Sequence, residues 1–167
     1  MKVLFTAFAL FISASVFSQT QITAKNYGAL EFVELDYGIA AVERGIEHPL
    51  KNTPTGTHGW LSDFVITKVT DTIHISRGVS FGVVYQLNSK DTMDIKIDIE
   101  WVYPQIIKND KKRKFSSIRY TTQRPTNTPS ASSYSLDEPY EMVEGNWVLN
   151  LYIEDQLIYS KTFYLYK

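Results

Sequence analysis

The last 27 residues, 141–167, constrain the fold of this chain more than any other stretch. From Trp147 the side chains alternate: Trp147, Leu149, Leu151 and Ile153 share one face, while Val148, Asn150, Tyr152 and Glu154 share the other. A period of two over eight residues describes a half-buried strand, because successive side chains of extended backbone point to opposite sides. Glu154, Asp155 and Gln156 form a short polar turn, and residues 157–166, rich in Tyr, Ile, Thr and Phe, read as the returning strand. Gly145 stands where a tight turn into the first strand favours a residue without Cβ. A hairpin carrying such large apolar side chains is stable only with more strands and a facing layer to bury them.

The rest of the chain supplies that layer. Val33, Leu35, Tyr37, Ile39 and Ala41 alternate with Glu34, Asp36, Gly38 and Ala40 and read as a first strand of about ten residues; Leu30, Val33 and Tyr37 would also share a helical face, but Gly38 in mid-run and the cleaner period of two favour the strand. Residues 44–62 hold Gly45, Pro49, Pro54, Gly56 and Gly59 and read as a long connection. Residues 64–69, 73–75 and 79–87 read as strands; Gly82, opposite the apolar face of the last, would permit a bulge or a close backbone approach. Ile95, Ile97, Ile99, Trp101 and Tyr103 face inward on the clearest strand, which Pro104 is expected to end because it has no N–H to give the ladder. A basic loop (105–114), a weaker strand (115–122) and a serine- and proline-rich flexible loop (123–133) follow. About seven strands without crossover helices predict an all-β, immunoglobulin-like antiparallel β-sandwich. The chain contains no cysteine, so packing rather than a disulfide must hold it.

The N-terminus predicts the compartment. Lys2 precedes an apolar run from Val3 to Val16 that ends in Val16-Phe17-Ser18, the pattern of a secretory signal peptide cleaved between Ser18 and Gln19. The run is shorter than the roughly 20 residues of a membrane-spanning helix, so no integral membrane segment is expected after cleavage. Removing 18 of the 167 residues leaves 149, and removing Lys2 leaves 16 basic against 18 acidic residues. The expected organisation is a signal peptide (1–18), a short lead-in (19–31) and one sandwich domain (32–167), located in the periplasm or secreted. An acidic, exported chain is poorly suited to nucleic acid.

The run Ile75-Ser76-Arg77-Gly78-Val79-Ser80-Phe81-Gly82, the strand end Trp101-Val102-Tyr103-Pro104, and Glu141-Met142-Val143-Glu144-Gly145-Asn146-Trp147 with Phe163 resemble a bacterial secreted family, the domain of unknown function numbered 3859. The resemblance spans roughly residues 37–166. It implies a small β-rich exported protein and transfers no catalytic residue.

Chemistry-bearing groups are sparse. His48 and His58, with Glu47 and Asp63, could supply metal ligands, but their spacing matches no standard zinc pattern. There is no G-x-S-x-G nucleophile motif. Asp94, Asp98 and Glu100 alternate with apolar residues and mark the wet face of a sheet rather than paired catalytic acids. Neither a catalytic residue nor a metal or other cofactor is expected. Trp60 beside His58 could present a stacking surface, and Lys111, Lys112, Arg113 and Lys114 could steer an anionic partner. The expectation is an exported, non-catalytic module that binds a protein or glycan of the cell envelope through its loops. The rivals are a metal-assisted hydrolase using the loop histidines and an envelope assembly component that pairs by a strand edge.

Overall fold

The computed structural model describes residues 19–167; the expected signal peptide lies outside them. Ten strands follow in order: β1 (Gln19–Ala24), β2 (Gly28–Pro49), β3 (Thr57–Lys68), β4 (Thr72–His74), β5 (Ser80–Asn88), β6 (Asp94–Lys108), β7 (Lys114–Pro125), β8 (Pro129–Ser135), β9 (Gly145–Ile153) and β10 (Gln156–Tyr166). A single 3-10 turn, Pro139–Glu141, separates β8 from β9. One sheet has the order β1-β2-β5-β8 with β3 also on β2, and the other has the order β4-β10-β9-β6-β7. The pairings are antiparallel except that β4 runs parallel to β10.

The C-terminal hairpin is as its sequence demands. Trp147, Leu149, Leu151 and Ile153 are buried, and Glu154 and Asp155 both take positive φ, 51° and 62°. Two such residues form the two-residue turn whose twist matches that of paired strands. The Glu154 carboxylate also accepts from the amides of Lys25 (2.6 Å) and Asn26 (2.8 Å), tying the β1–β2 turn to the hairpin. Between the sheets, Phe81, Trp101, Tyr103, Tyr134, Trp147 and Phe163 form one aromatic cluster, with Tyr103 and Tyr134 each 4.9 Å from Trp147, ring centre to ring centre. Edge-to-face contacts of this kind add to the burial of the rings themselves.

Several expectations are corrected. Residues 19–31 are not a lead-in: they form β1 and the start of β2, with Ile22, Ala24 and Leu30 buried. The simple alternation of β2 is broken by a bulge between Glu34 and Asp36: Phe32 faces the core before it, Tyr37 and Ile39 pack against the core after it, and Leu35 is 37% exposed. Pro104 does not end β6. It lies where the β6–β7 register slips between Val102 and Ile107, a break that asks no N–H of it, and β6 runs on to Lys108. The serine-rich segment is β8 rather than a flexible loop, its backbone paired with β5 from Gln86 to Ser80. Gly82 does allow a close approach, since a Cβ there would stand 2.2 Å from the Ser132 carbonyl oxygen.

The expected long connection is also ordered. β2 continues past the sheet and pairs with β3 as a two-stranded arm, residues 41–65, with register slips at Glu43/Arg44 and Arg44/Glu47. At its root Gly38 has φ +136°, and a Cβ there would fall 2.1 Å from the Lys68 carbonyl oxygen. Only glycine lets β3 rejoin β2 at that point.

Candidate functional site

The arm is exposed along its middle and buried at its tip. Ile46 is 74% and Val65 52% exposed, whereas Thr53 and Pro54 at the tip are buried. The tip is a compact turn closed by Leu50 N–H to Gly56 C=O (2.9 Å) and by the Thr53 hydroxyl donating to Leu50 C=O (2.9 Å). Three side chains from elsewhere hold it. The buried Asn109 amide donates to Pro54 C=O (2.9 Å), Arg113 donates to Lys51 C=O (2.7 Å), and the Tyr140 hydroxyl donates to Pro54 C=O (3.3 Å).

Asn109 is itself fixed by the β6–β7 turn. Its side-chain oxygen accepts from Arg113 N–H (2.9 Å), and its own N–H donates to Arg113 C=O (3.0 Å). Tyr140 sits in the 3-10 turn, which is organised by Glu141. That residue is 1% exposed; its carboxylate accepts from the Tyr134 hydroxyl (2.8 Å) and from the amides of Asp137 (3.1 Å) and Glu138 (3.0 Å). Burial raises the Glu141 carboxyl above its ordinary value, while these hydrogen bonds pull it down without cancelling the shift. Burial likewise lifts the Tyr140 phenol to about 12, helped by the nearby charges of Glu141, Glu138 and Asp110. Tyr134 also contacts the Tyr103 hydroxyl (3.2 Å), so a polar chain runs from the 3-10 turn into the aromatic core.

Between the pinned arm and the open side of the sandwich lies a cavity of about 1180 Å³. One wall carries Glu47, Thr55, Asp63 and Phe64 of the arm; another carries Ile118, Tyr120 and Arg124 of β7. The third is β8, every residue of which, from Pro129 to Ser135, lines the space. Side chains of a strand alternate between faces, so a cavity that meets all seven residues runs along the strand's edge. β8 ends its sheet, paired to β5 alone among the described strands, and along that edge Arg124 of β7 donates to Ala131 C=O at 3.5 Å. The wholly buried Trp101 also lines the cavity, and its indole N–H has no hydrogen-bond partner among the described residues.

The residues singled out from sequence are dispersed. The backbones of His58 and Trp60 lie on β3 in the arm, with His58 opposite His48 in the ladder; their side chains lie outside the described residues. Among the described residues, no three metal-ligating side chains come together. The basic cluster is a tight turn rather than a loose loop. Lys111 lines the cavity, Lys112 takes φ 60°, Arg113 clamps the arm and stacks on the Phe115 ring at 5.1 Å, and Lys114 opens β7 opposite Lys108. Sequence reasoning missed Asn109, Glu141 and β8. The four residues Glu138-Pro139-Tyr140-Glu141 carry a usable signal, proline at the first helical position followed by an acid that caps it.

The outer face of the second sheet is polar and internally satisfied. Asp98 accepts from Arg119 (2.7 Å) and Thr121 (2.6 Å), and although partial burial works against it, these bonds hold its carboxyl below the usual range. Glu100 accepts from Asn150 (3.1 Å) and Tyr152 (2.8 Å). This is the wet face expected from the alternation of β6.

No helix among the described residues is long and apolar enough to cross a membrane. No curated protein matches the chain. An immunoglobulin-like protein from Pseudomonas aeruginosa is similar in structure, with a TM-score of 0.57 at 19% identity, over 78% of this chain and 90% of that one. At that identity the likeness establishes the fold, an immunoglobulin-like β-sandwich, and nothing further. The family model for the domain of unknown function DUF3859 matches residues 30–165, and the chain belongs to that family.

Proposed function

We propose that this protein is an exported, non-catalytic binding module whose site is the cavity between the arm and the open side of the sandwich. The observation that carries the reading is the pinning of the arm tip by Asn109, Arg113 and Tyr140. An exposed two-stranded ribbon is marginal in water. Three side chains from two other segments hold this one in a single place, which keeps a large concave space open beside a rigid core. Preformed concavity is the usual form of a binding site. Arg113 serves in the frame of that site, so the basic turn shapes the cavity as well as adding charge to its rim.

The test uses the mature chain from Gln19 to Lys167 as bait for a native envelope fraction, beside a variant in which residues 45–61 are replaced by a two-residue Asn-Gly turn. The proposal expects ligands retained by the intact chain to be lost by the shortened one, with both chains melting at similar temperatures. Retention of the same molecules by the shortened chain overturns the assignment of the cavity. Export is checked separately: N-terminal sequencing of the protein from its native host should begin within a few residues of Gln19, and a retained Met1 contradicts it.

A further inference from the structure

The binding reading leaves open what chemistry the cavity accepts. We infer that it takes an extended peptide segment, added as a further strand along the outer edge of β8; this rests on the cavity being the binding site.

The first argument is the edge itself. All seven residues of β8 meet the cavity, which offers a row of backbone donors and acceptors roughly 23 Å long at about 3.3 Å per residue, interrupted only by a long contact from Arg124 to Ala131 C=O (3.5 Å) that an incoming N–H would replace. A peptide backbone repeats at that spacing, and strand addition to an exposed edge is a general mode of peptide recognition. The second is the contrast between two neighbouring edges. β7 carries Lys114, Arg119, Arg124 and Pro125, the charges and proline by which sheets discourage further pairing. β8, Pro-Ser-Ala-Ser-Ser-Tyr-Ser, has no charge, and its one proline is its first residue, where it blocks nothing beyond.

The third argument is charge. Six carboxylates but only three cationic side chains line the cavity, which disfavours a polyanionic glycan or a strongly acidic peptide. The small side chains of β8 leave room for an incoming strand, and the arm closes the opposite side. The occupant expected is therefore a neutral or mildly basic segment of about seven residues.

The experiment selects dodecapeptides from a random phage-displayed library on the mature chain, using the arm-shortened chain to remove binders of other surfaces. A selected peptide is then synthesised with single backbone N-methyl groups at each position in turn. Pairing along one edge predicts affinity losses of about tenfold or more at every second residue and little change between them, since only alternate N–H groups face β8. Binding should also slow hydrogen exchange at alternate amides of β8 in the protein. Sensitivity without this alternation, or protection that spares β8, overturns the inference. The parent reading is separated by a parallel assay with soluble envelope oligosaccharides. If those bind in an arm-dependent way and no peptide does, the peptide inference fails while the cavity stands; if neither class binds, both fail.

Discussion

The sandwich and the arm are built from the same element, paired strands, yet different forces hold them. In the sandwich, strands β5, β6 and β9 bury Phe81, Trp101 and Trp147 against one another from two sheets, and few polar atoms intervene. In the arm, Ile46 and Val65 stay in water and the ladder slips twice. What fixes the arm is a set of hydrogen bonds at its tip from Asn109, Arg113 and Tyr140. Burial gives a core its large, non-directional stabilisation, about 25 cal/mol per Å². A few hydrogen bonds give position, at a net contribution of about 0.5–1.5 kcal/mol each. The arm is therefore placed accurately but held weakly, as a wall that must admit a ligand would be.

The comparison can be broken at the core end first. Trp147→Ala should lose about 3–5 kcal/mol in denaturant melts, since it removes a fully buried ring whose N–H also donates to Val143 C=O (2.9 Å). A loss under about 0.5 kcal/mol would show that the cluster does not carry the fold.

Glu141 lies between the two regimes, buried like the core yet organising the turn that supplies Tyr140. Glu141→Ala should cost about 2–4 kcal/mol, because the amides of Asp137 and Glu138 and the Tyr134 hydroxyl lose their acceptor. The pH dependence has a definite sign. Its folded pKa is raised above the ordinary 4.5, so the folded chain binds the proton more tightly than the unfolded one. The stability linked to Glu141 is then full below about pH 4.5 and declines as pH rises through the folded value. Urea melts from pH 4 to 8 should show that decline in the wild type and not in Glu141→Gln; a slope that survives in Glu141→Gln comes from another group.

At the arm end, Asn109→Ala should cost only about 1 kcal/mol of global stability, because it removes the hydrogen bond to Pro54 C=O and the brace to Arg113 N–H at the chain's periphery. Limited proteolysis within residues 45–61 should nevertheless accelerate. Replacing Lys111, Lys112 and Lys114 with serine, and leaving the Arg113 clamp in place, should change stability by less than about 0.5 kcal/mol each. A larger loss would make the β6–β7 turn a structural element in its own right.

The same division explains what the sequence made legible. β5, β6, β9 and β10 were readable because large apolar side chains alternate with polar ones, and burial enforces the period. β8 was not, because its serines carry little apolar surface; their backbone pairing with β5 makes the strand. The arm reads as a connection for a related reason, since glycines and prolines at 45, 49, 54, 56 and 59 suppress any pattern while cross-strand hydrogen bonds still form. The alternation of β2 misleads because a single bulge at Leu35 reverses its parity, so that Phe32 before it and Tyr37 and Ile39 after it face the core, and a bulge leaves no mark on composition. The candidate site was the least legible part. Trp60, His58 and the basic turn drew attention as residue types, whereas the cavity depends on Asn109, Glu141 and an uncharged strand edge, whose roles arise from contacts distant in sequence.

Native-state hydrogen exchange on the mature chain and on Asn109→Ala tests the central claim most directly, that the arm is held at its tip and independently of the core. The account predicts that amides of β6 and β9 exchange only through global unfolding, while arm amides exchange through a smaller local opening. In Asn109→Ala, protection should fall across residues 41–65 by more than it falls in β6 and β9. An equal fall in arm and core would mean that they open as one cooperative unit, and would contradict the account.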